Sequence, residues 1–383
     1  MYRAANCSVV TLIPKHKGAK EIQDYRPIAC CSTLYKIISK ILANRLSKVL
    51  GMIIGANQAA FVKGQRIHNH ILITYELIKG YERKNISPRC LMQMDIQKAY
   101  DAVDWNALEK IFNEVGCPQQ FTKWVMTMVS TISYRFNING HQTDIMAAKR
   151  GLRHGDPISP MLFVIVMECL NKYLDKMQED CDFNYHPKCD KLKITNLCFA
   201  DDLLMFSRGD KVSVEMMMKT YGKFLKATGL AVNPQKCQIY CAGMDELTRQ
   251  NVIKASGFQE GRLPFKYLGV PVTGKKLSMR HYAPLIDKIM GKIKHWTTRL
   301  LTYARRLQLI NCVMFVMTNY WLTCFPFPKT VIHKIESICR IFLWTRGFEG
   351  SRKAPVAWKQ VCSPRSHGGL NVIDIKVWNK TTL

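Results

Sequence analysis

Apolar positions along this chain follow strand and helix periods in turn. Residues 9–14 form a short apolar run of strand length. Leu34, Ile37, Ile38, Ile41, Leu42 and Leu46 then recur at steps of three and four. That spacing predicts a helix over 34–50 with its apolar face on those residues and a polar face carrying Lys36, Lys40, Arg45 and Lys48. A second helix is predicted over 71–81, after a loop at 57–69 that holds Lys63 and Arg66. Residues 90–96 read as a strand, and 105–115 as a helix with Asp104 at its N-cap. A Gly- and Pro-punctuated loop, 150–160, opens into an apolar helix over 161–174, for which Ser159 is the expected N-cap and Pro160 the first helical residue. Apolar arms flank Asp201-Asp202 over 197–206 and predict a buried hairpin. A helix over 214–228, a short strand after Lys236 and a hairpin entry at 265–271 follow, and from residue 285 the pattern is helical and aromatic.

Charge changes this picture. Against 28 Asp and Glu stand 56 Lys and Arg, a formal charge of +28. Such an excess calls for a polyanionic partner, either nucleic acid or an anionic membrane surface. The cations run from Lys15, Lys17 and Lys20 to Arg352 and Lys353, so a long positive groove suits them better than a basic tail. Residues 309–327 carry no charge, but Asn311, Thr318, Asn319, Thr323 and Pro326 within them favour a core helix over a membrane span. Fifteen scattered cysteines with no CxxC pair read as free thiols of a reducing compartment, nucleus or cytoplasm. Cys181, His186 and Cys189 are near enough in sequence to be weighed as zinc ligands, without a fourth at a recognisable spacing. Aromatics from Trp296 to Trp344 alternate with Arg299, Arg305, Arg306 and Arg340, a mixture that suits either base stacking or core packing.

The acids carry the chemistry. Adjacent carboxylates at a hairpin tip repel one another unless a cation sits there, although Asp is also common in turns for its own backbone bonding. Mg²⁺ suits such a place, since it takes one or two carboxylates and completes its shell with phosphates and water. Asp95 closes the strand over 90–96, where an open α/β layer exposes ligands, and is expected beside Asp201. Asp101 lies in the following turn. Lys236 precedes a short strand and could reach the same cleft, or be a solvated surface lysine.

Seven blocks, DYRPIACC (24–31), LYKIISKILANR (34–45), NQAAFVKG (57–64), DIQKAYD (95–101), RGLRHGDPISP (150–160), FADDL (199–203) and YLG (267–269), resemble in this order the reverse transcriptase of non-LTR retrotransposons, closest to the plant LINE type. The resemblance implies an α+β right-hand polymerase with an antiparallel palm sheet: fingers 1–88, palm 89–116, returning fingers 117–152, palm 153–275 and a helical thumb 276–383. It implies RNA-directed DNA synthesis from a DNA primer, an RNA template and dNTPs, with no membrane role. Two Mg²⁺ ions, or Mn²⁺ in their stead, would be held by Asp95, Asp201, Asp202 and the backbone carbonyl of Ile96. Tyr100 matches a steric gate against ribose, and Arg26, helped by a lysine such as Lys20, a grip on the triphosphate. Lys236 matches a general acid for pyrophosphate, His154 and Gly155 the nucleotide-facing loop, and residues 265–271 the primer grip. Position 154 departs from the pattern, which has Gln there. The resemblance also implies an upstream endonuclease and a downstream Cys/His-rich segment, so the chain is expected to be a fragment or degenerate copy of a longer element. The alternative is a catalytically silent nucleic-acid-binding module on the same fold.

Overall fold

A computed structural model describes residues 5–16, 18–83, 85–297, 301–345 and 354–381. Lys17, Arg299, Arg352 and Lys353, named above for their charge, lie outside the described residues. Two compact units divide the chain. The first comprises Met1–His70 and Gly80–Arg262, and the second Ile71–Lys79 and Leu263–Leu383.

The first unit begins with strands β1 (Cys7–Pro14) and β2 (Tyr25–Cys30), helix α1 (Thr33–Ile53) and the start of α2 (Ile67–Ile78), whose remainder falls in the second unit. Strand β3 (Arg89–Gln97), the single turn α3 (Ala99–Ala102), α4 (Trp105–Glu114) and α5 (Gln119–Ser130) follow. Strands β4 (Ser133–Ile138), β5 (His141–Gln142) and β6 (Met146–Ala147) lead to α6 (Ser159–Met177). Next come β7 (Asn196–Phe199), β8 (Asp202–Ser207), α7 (Lys211–Thr228), β9 (Ala231–Val232), β10 (Gln238–Ala242), α8 (Glu246–Ser256) and β11 (Gln259–Glu260). One sheet has the order β11-β10-β3-β8-β7, with β9 also on β3, and the other β2-β1-β4-β5, with β6 on β4. In the first sheet β10, β3, β8 and β7 alternate in direction, each antiparallel to its neighbour.

Helix α6 differs from an amphipathic helix in being enclosed: every residue of 162–167 is buried. Its start corrects the expected cap. Ile158 occupies the N-cap, and the Ser159 hydroxyl donates instead to Asp156 Oδ2 at 3.1 Å. Losing a cap costs about 1 kcal/mol, whereas each buried Phe, Leu or Ile contributes about 1.5–3 kcal/mol. Packing therefore decides the helix, and the cap is dispensable. Asp104 does cap α4, accepting from the Ala107 N–H at 2.9 Å.

Helix α1 corrects the sequence reading of its faces. Tyr35, Ser39, Leu42, Ala43, Leu46 and Leu50 point inward, while Leu34, Ile37 and Ile41 are exposed by 57%, 54% and 48%. Apolar residues surround this helix, so periodicity alone could not choose the buried stripe. The supposed zinc ligands are not gathered either. His186 is fully buried, with Nε2 3.0 Å from the Tyr81 hydroxyl and Nδ1 accepting from the Lys188 N–H at 3.2 Å. All fifteen cysteines are free.

The second unit holds the hairpin of β12 (Phe265–Tyr267) and β13 (Val270–Val272), then α9 (Met279–Thr297), α10 (Tyr303–Leu309), a π-helical turn at 310–314, α11 (Phe315–Leu322), α12 (Lys329–Trp344), α13 (Trp358–Cys362) and α14 (Ile375–Thr381). Its aromatics mostly pack on one another: Trp296 on Phe342 at 5.8 Å, Tyr303 on Trp344 at 5.3 Å and Tyr282 on Trp321 at 5.8 Å. The uncharged run is helical over 309–322 and buries Ile310, Met314, Trp321 and Leu322 while exposing Cys312 and Val316; 323–327 leave the helix. Among the described residues no helix is long and apolar enough to cross a membrane.

Candidate active site

The hairpin β7–β8 closes through Ala200 and Asp201, with Phe199 paired to Asp202. Ala200 has φ +55°, a turn conformation glycine usually fills. Strand β3 lies antiparallel to β8 in a register that sets Asp95 directly opposite Asp202. The sequence placed Asp95 beside Asp201, and the Asp201 charge does act on it; the residue directly across the ladder is Asp202, with Asp201 in the adjoining turn.

The electrostatics are those of crowded acids. Enclosure by surrounding protein, then the charges of Asp201 and Asp95, push the Asp202 carboxyl up to about 6. Asp95 is also raised, first by desolvation, with Asp201 adding to the effect and Lys236 opposing it. Lys236 Nζ stands 3.9 Å from Asp95 Oδ2, a half-exposed pair of small energetic worth. The backbone of Asp95 is fixed from β9–β10: its N–H donates to Cys237 Sγ at 3.2 Å and its carbonyl accepts from the Asn233 N–H at 2.9 Å. Ile96 follows in the β3 pairing with Val232.

Tyr100, on α3, stacks on Phe163 at 4.9 Å and lies 4.8 Å from the His154 ring. Burial raises its hydroxyl to about 12, with the Asp201 charge contributing. His154 Nε2 is 3.7 Å from Asp101 Oδ1, a partner that the sequence reading left without a role. The loop carrying His154 and Gly155 is laid on α3 by backbone contacts. Leu152 N–H donates to the Tyr100 carbonyl at 2.7 Å, Gly151 N–H to that of Val103 at 2.8 Å, and the Trp105 indole to that of Gly151 at 2.8 Å. Gly151 has φ +93°, and a Cβ there would meet the Asp101 carbonyl oxygen at 2.6 Å, so only glycine allows this approach. On its other side the His154 carbonyl accepts from the Ala29 N–H of β2.

Below that loop Arg153 is almost fully buried. It donates to the Asn6 carbonyl at 2.9 Å and to Asn6 Oδ1 at 2.7 Å, and lies over the Tyr35 ring at 4.3 Å. The Tyr35 hydroxyl donates to buried Asp156 at 2.7 Å, and Ser39 donates to the same carboxylate. Burial first, and then the Asp156 charge, hold the Tyr35 hydroxyl far above its usual range.

Arg26 and Lys20 are exposed on the β1–β2 hairpin, whose turn is organised by Asp24 accepting from the Lys20 and Glu21 N–H groups. Among the described residues no ion pair joins Arg26 or Lys20 to the acids. Asp95, Asp201 and Asp202 fit a divalent cation in chemistry: hard oxygen donors that disfavour one another's charge and, among the described residues, form an ion pair only through Lys236. They are not drawn tight. Among the described residues only Asp180, Cys181 and Asp182, all exposed, place ligand atoms within 4.8 Å of one another.

Carboxylates gathered at a hairpin tip and a neighbouring strand suit a metal-dependent enzyme acting on phosphates. Residues 13–272 match the family described as reverse transcriptase (RNA-dependent DNA polymerase), and the chain belongs to it. It is 25% identical over 358 residues to the transposon TX1 uncharacterized 149 kDa protein of Xenopus laevis, covering 88% of this chain and 26% of that protein. It is 24% identical over 375 residues to the Pol polyprotein of the Drosophila melanogaster retrotransposable element R2DM, covering 95% and 34%. The chain thus spans about a quarter to a third of the curated relatives it matches. Telomerase from Candida tropicalis aligns over 91% of this chain and 63% of that one, at 11% identity and a TM-score of 0.48.

Proposed function

We propose that this chain is the polymerase part of a non-LTR retrotransposon protein, adding dNTPs to a DNA primer on an RNA template. What carries the reading is the register that sets Asp95 against Asp202 with Asp201 in the adjoining turn, inside a chain of this family. Asp95, Asp201 and Asp202, with the Ile96 carbonyl, would hold two Mg²⁺ ions. When bound, such ions lower the pKa of a primer hydroxyl and neutralise charge on a triphosphate. The protein's own part is positioning. Tyr100, braced by Phe163, limits space beside the nucleotide sugar. His154 and Gly155 form the loop that faces the incoming base. Arg26, with Lys20 beside it on the same hairpin, reaches for phosphate as guanidinium does. Lys236 stands where it can return a proton to leaving pyrophosphate. In this reading the acid-bearing sheet is the palm, the β1–β2 sheet with α1 the fingers, and the helices after residue 276 the thumb. The +28 charge supplies a salt-sensitive grip on nucleic acid. Nucleus and cytoplasm are both compatible with it.

A second reading, a silent nucleic-acid-binding module, has two observations in its favour: acids not gathered within 4.8 Å, and His154 engaged with Asp101. Primer extension on an RNA template with Mg²⁺, run beside Asp201→Ala, separates the two. Extension by the wild type alone supports the polymerase. Equal failure of both proteins, with primer–template binding retained, supports the silent module.

A further inference from the structure

The block NQAAFVKG has no part in the site described above, yet it touches the hairpin at its most constrained residue. Gln58 is 1% exposed, and its Oε1 accepts from the Ala200 N–H at 3.1 Å and from the Ala60 N–H at 2.9 Å. The backbone around it is zipped to β7: Cys198 N–H donates to the Asn57 carbonyl at 2.7 Å, and Ala59 N–H to the Cys198 carbonyl at 3.1 Å. Ala200 is the turn residue at φ +55° that immediately precedes Asp201. A non-glycine residue there is strained and persists only when its surroundings fix it.

The loop is itself anchored. Asn57 Nδ2 donates to Asn196 Oδ1 at 3.2 Å, Asn196 Nδ2 to Asn171 Oδ1 at 2.7 Å, and Asn171 Nδ2 to Glu168 Oε2 at 2.7 Å. Glu168 Oε2 also accepts from the Gly55 N–H at 3.1 Å, which returns the chain of bonds to the start of the loop. Asn171, Asn196 and Glu168 are all buried. A buried polar circuit with its members satisfied defines one arrangement and penalises others, because each broken link leaves a desolvated group unpaired.

We infer that Gln58 is a positioning residue that locks the Ala200–Asp201 turn, with the Gly55–Glu168–Asn171–Asn196–Asn57 circuit holding Gln58 in place. It touches no substrate and acts through Asp201. Gln58→Met keeps the length and removes the acceptor. Gln58→Glu keeps an oxygen at the same reach. The inference rests on the polymerase reading for its consequence in catalysis, but its physical content can be measured without turnover.

Hydrogen exchange read on peptides covering 57–62 and 196–202 is the test, with the β3 peptide as an internal standard. Gln58→Met is expected to speed exchange at Ala200 and Ala60 by about 10-fold or more, the loss of one shared buried bond, while β3 is unchanged. Gln58→Glu is expected to retain the protection. Primer extension by Gln58→Met should fall in kcat by on the order of 10- to 100-fold with KM for dNTP nearly constant, as for a displaced reacting group. Half-saturating Mg²⁺ should rise. Unchanged exchange in Gln58→Met, or loss of protection in Gln58→Glu equal to that in Gln58→Met, overturns the clamp. If Gln58→Met does not fold, Asn57→Ala, which breaks the circuit at its partly exposed end, is read the same way: faster exchange at Ala200 is expected, and unchanged exchange overturns the clamp. A loosened turn in a chain that never extends primer leaves the clamp standing and defeats the polymerase reading instead.

Discussion

Asp95 and Asp202 are direct partners across the β3–β8 ladder, two like charges where a sheet ordinarily puts neutral or opposite ones. This pairing costs stability in the absence of a cation. Asp202 has its carboxyl raised from 3.8 to about 6, so between those values the folded protein holds a proton that the unfolded chain has released. Folding stability therefore falls as pH rises from about 4 to about 6, and stays low above that. Asp202→Asn is expected to raise the melting temperature of EDTA-treated protein at pH 8 and to leave it nearly unchanged at pH 4. Solvent access discounts the gain to on the order of 1 kcal/mol. Mg²⁺ should stabilise the wild type more than the variant. A melting curve in which Asp202→Asn is no more stable at pH 8 contradicts the crowding argument.

Gly151 brings the 150–160 loop against the backbone of α3. Gly151→Ala meets both a positive φ and a backbone oxygen at 2.6 Å that has no side-chain freedom to move. A loss of at least about 2 kcal/mol in denaturant unfolding is expected. Gly64→Ala, also at positive φ but with open space around its Cβ, should cost less. Equal losses at the two positions would show that φ alone, and not the Asp101 contact, sets the requirement.

Arg153 fixes the same loop from beneath. Its guanidinium reaches two oxygens of Asn6 and covers Tyr35; the Asn6 carbonyl keeps a bond from the Ser133 N–H, but Arg153→Met strands the buried Asn6 Oδ1 in the interior. The expected destabilisation is about 2–4 kcal/mol. Arg153→Lys should recover little of it, because an ammonium cannot reproduce both the fork and the planar stack. Chemical denaturation of both variants checks this; near-wild-type stability of Arg153→Lys would mean that charge alone is required.

What the sequence made legible divides along physical lines. Strand and helix identities follow from local periodicity, and both the Asp201 turn and Asp95 at a strand end were readable from the residues between them. The partner of Asp95 across the sheet was not, since a one-residue change of register exchanges the two faces and nothing local sets it. The buried stripe of α1 was only partly legible: Leu42 and Leu46 are buried as expected, but Leu34, Ile37 and Ile41 are exposed, and tertiary packing turns Tyr35, Ala43 and Leu50 inward instead. Gln58 gave no local signal at all. Its Ala200 contact spans 142 residues of sequence and appears only when β7 and the 57–64 loop are brought together.

His154 stands where the resemblance to non-LTR reverse transcriptases implies Gln, and its surroundings suggest a test of that difference. Its ring rests 4.8 Å from Tyr100, and Nε2 lies 3.7 Å from Asp101 Oδ1. An aromatic contact is worth about 0.5–1.5 kcal/mol, and the Asp101 carboxylate lies on the same side. The imidazole is thus drawn toward α3 by roughly 1 kcal/mol; in the proposed function this takes it away from a base that a Gln would meet with both an amide donor and a carbonyl acceptor. Freeing that position is expected to speed single-turnover nucleotide addition by His154→Gln about 3- to 10-fold, since 1.4 kcal/mol corresponds to tenfold. Asp101→Asn serves as the control because it weakens the tether while keeping the ring. If Asp101→Asn gives the same gain as His154→Gln, the tether is what slows the enzyme. If only His154→Gln gains, the missing amide is responsible, and no gain in either variant would show that the histidine serves as well as the glutamine it replaces.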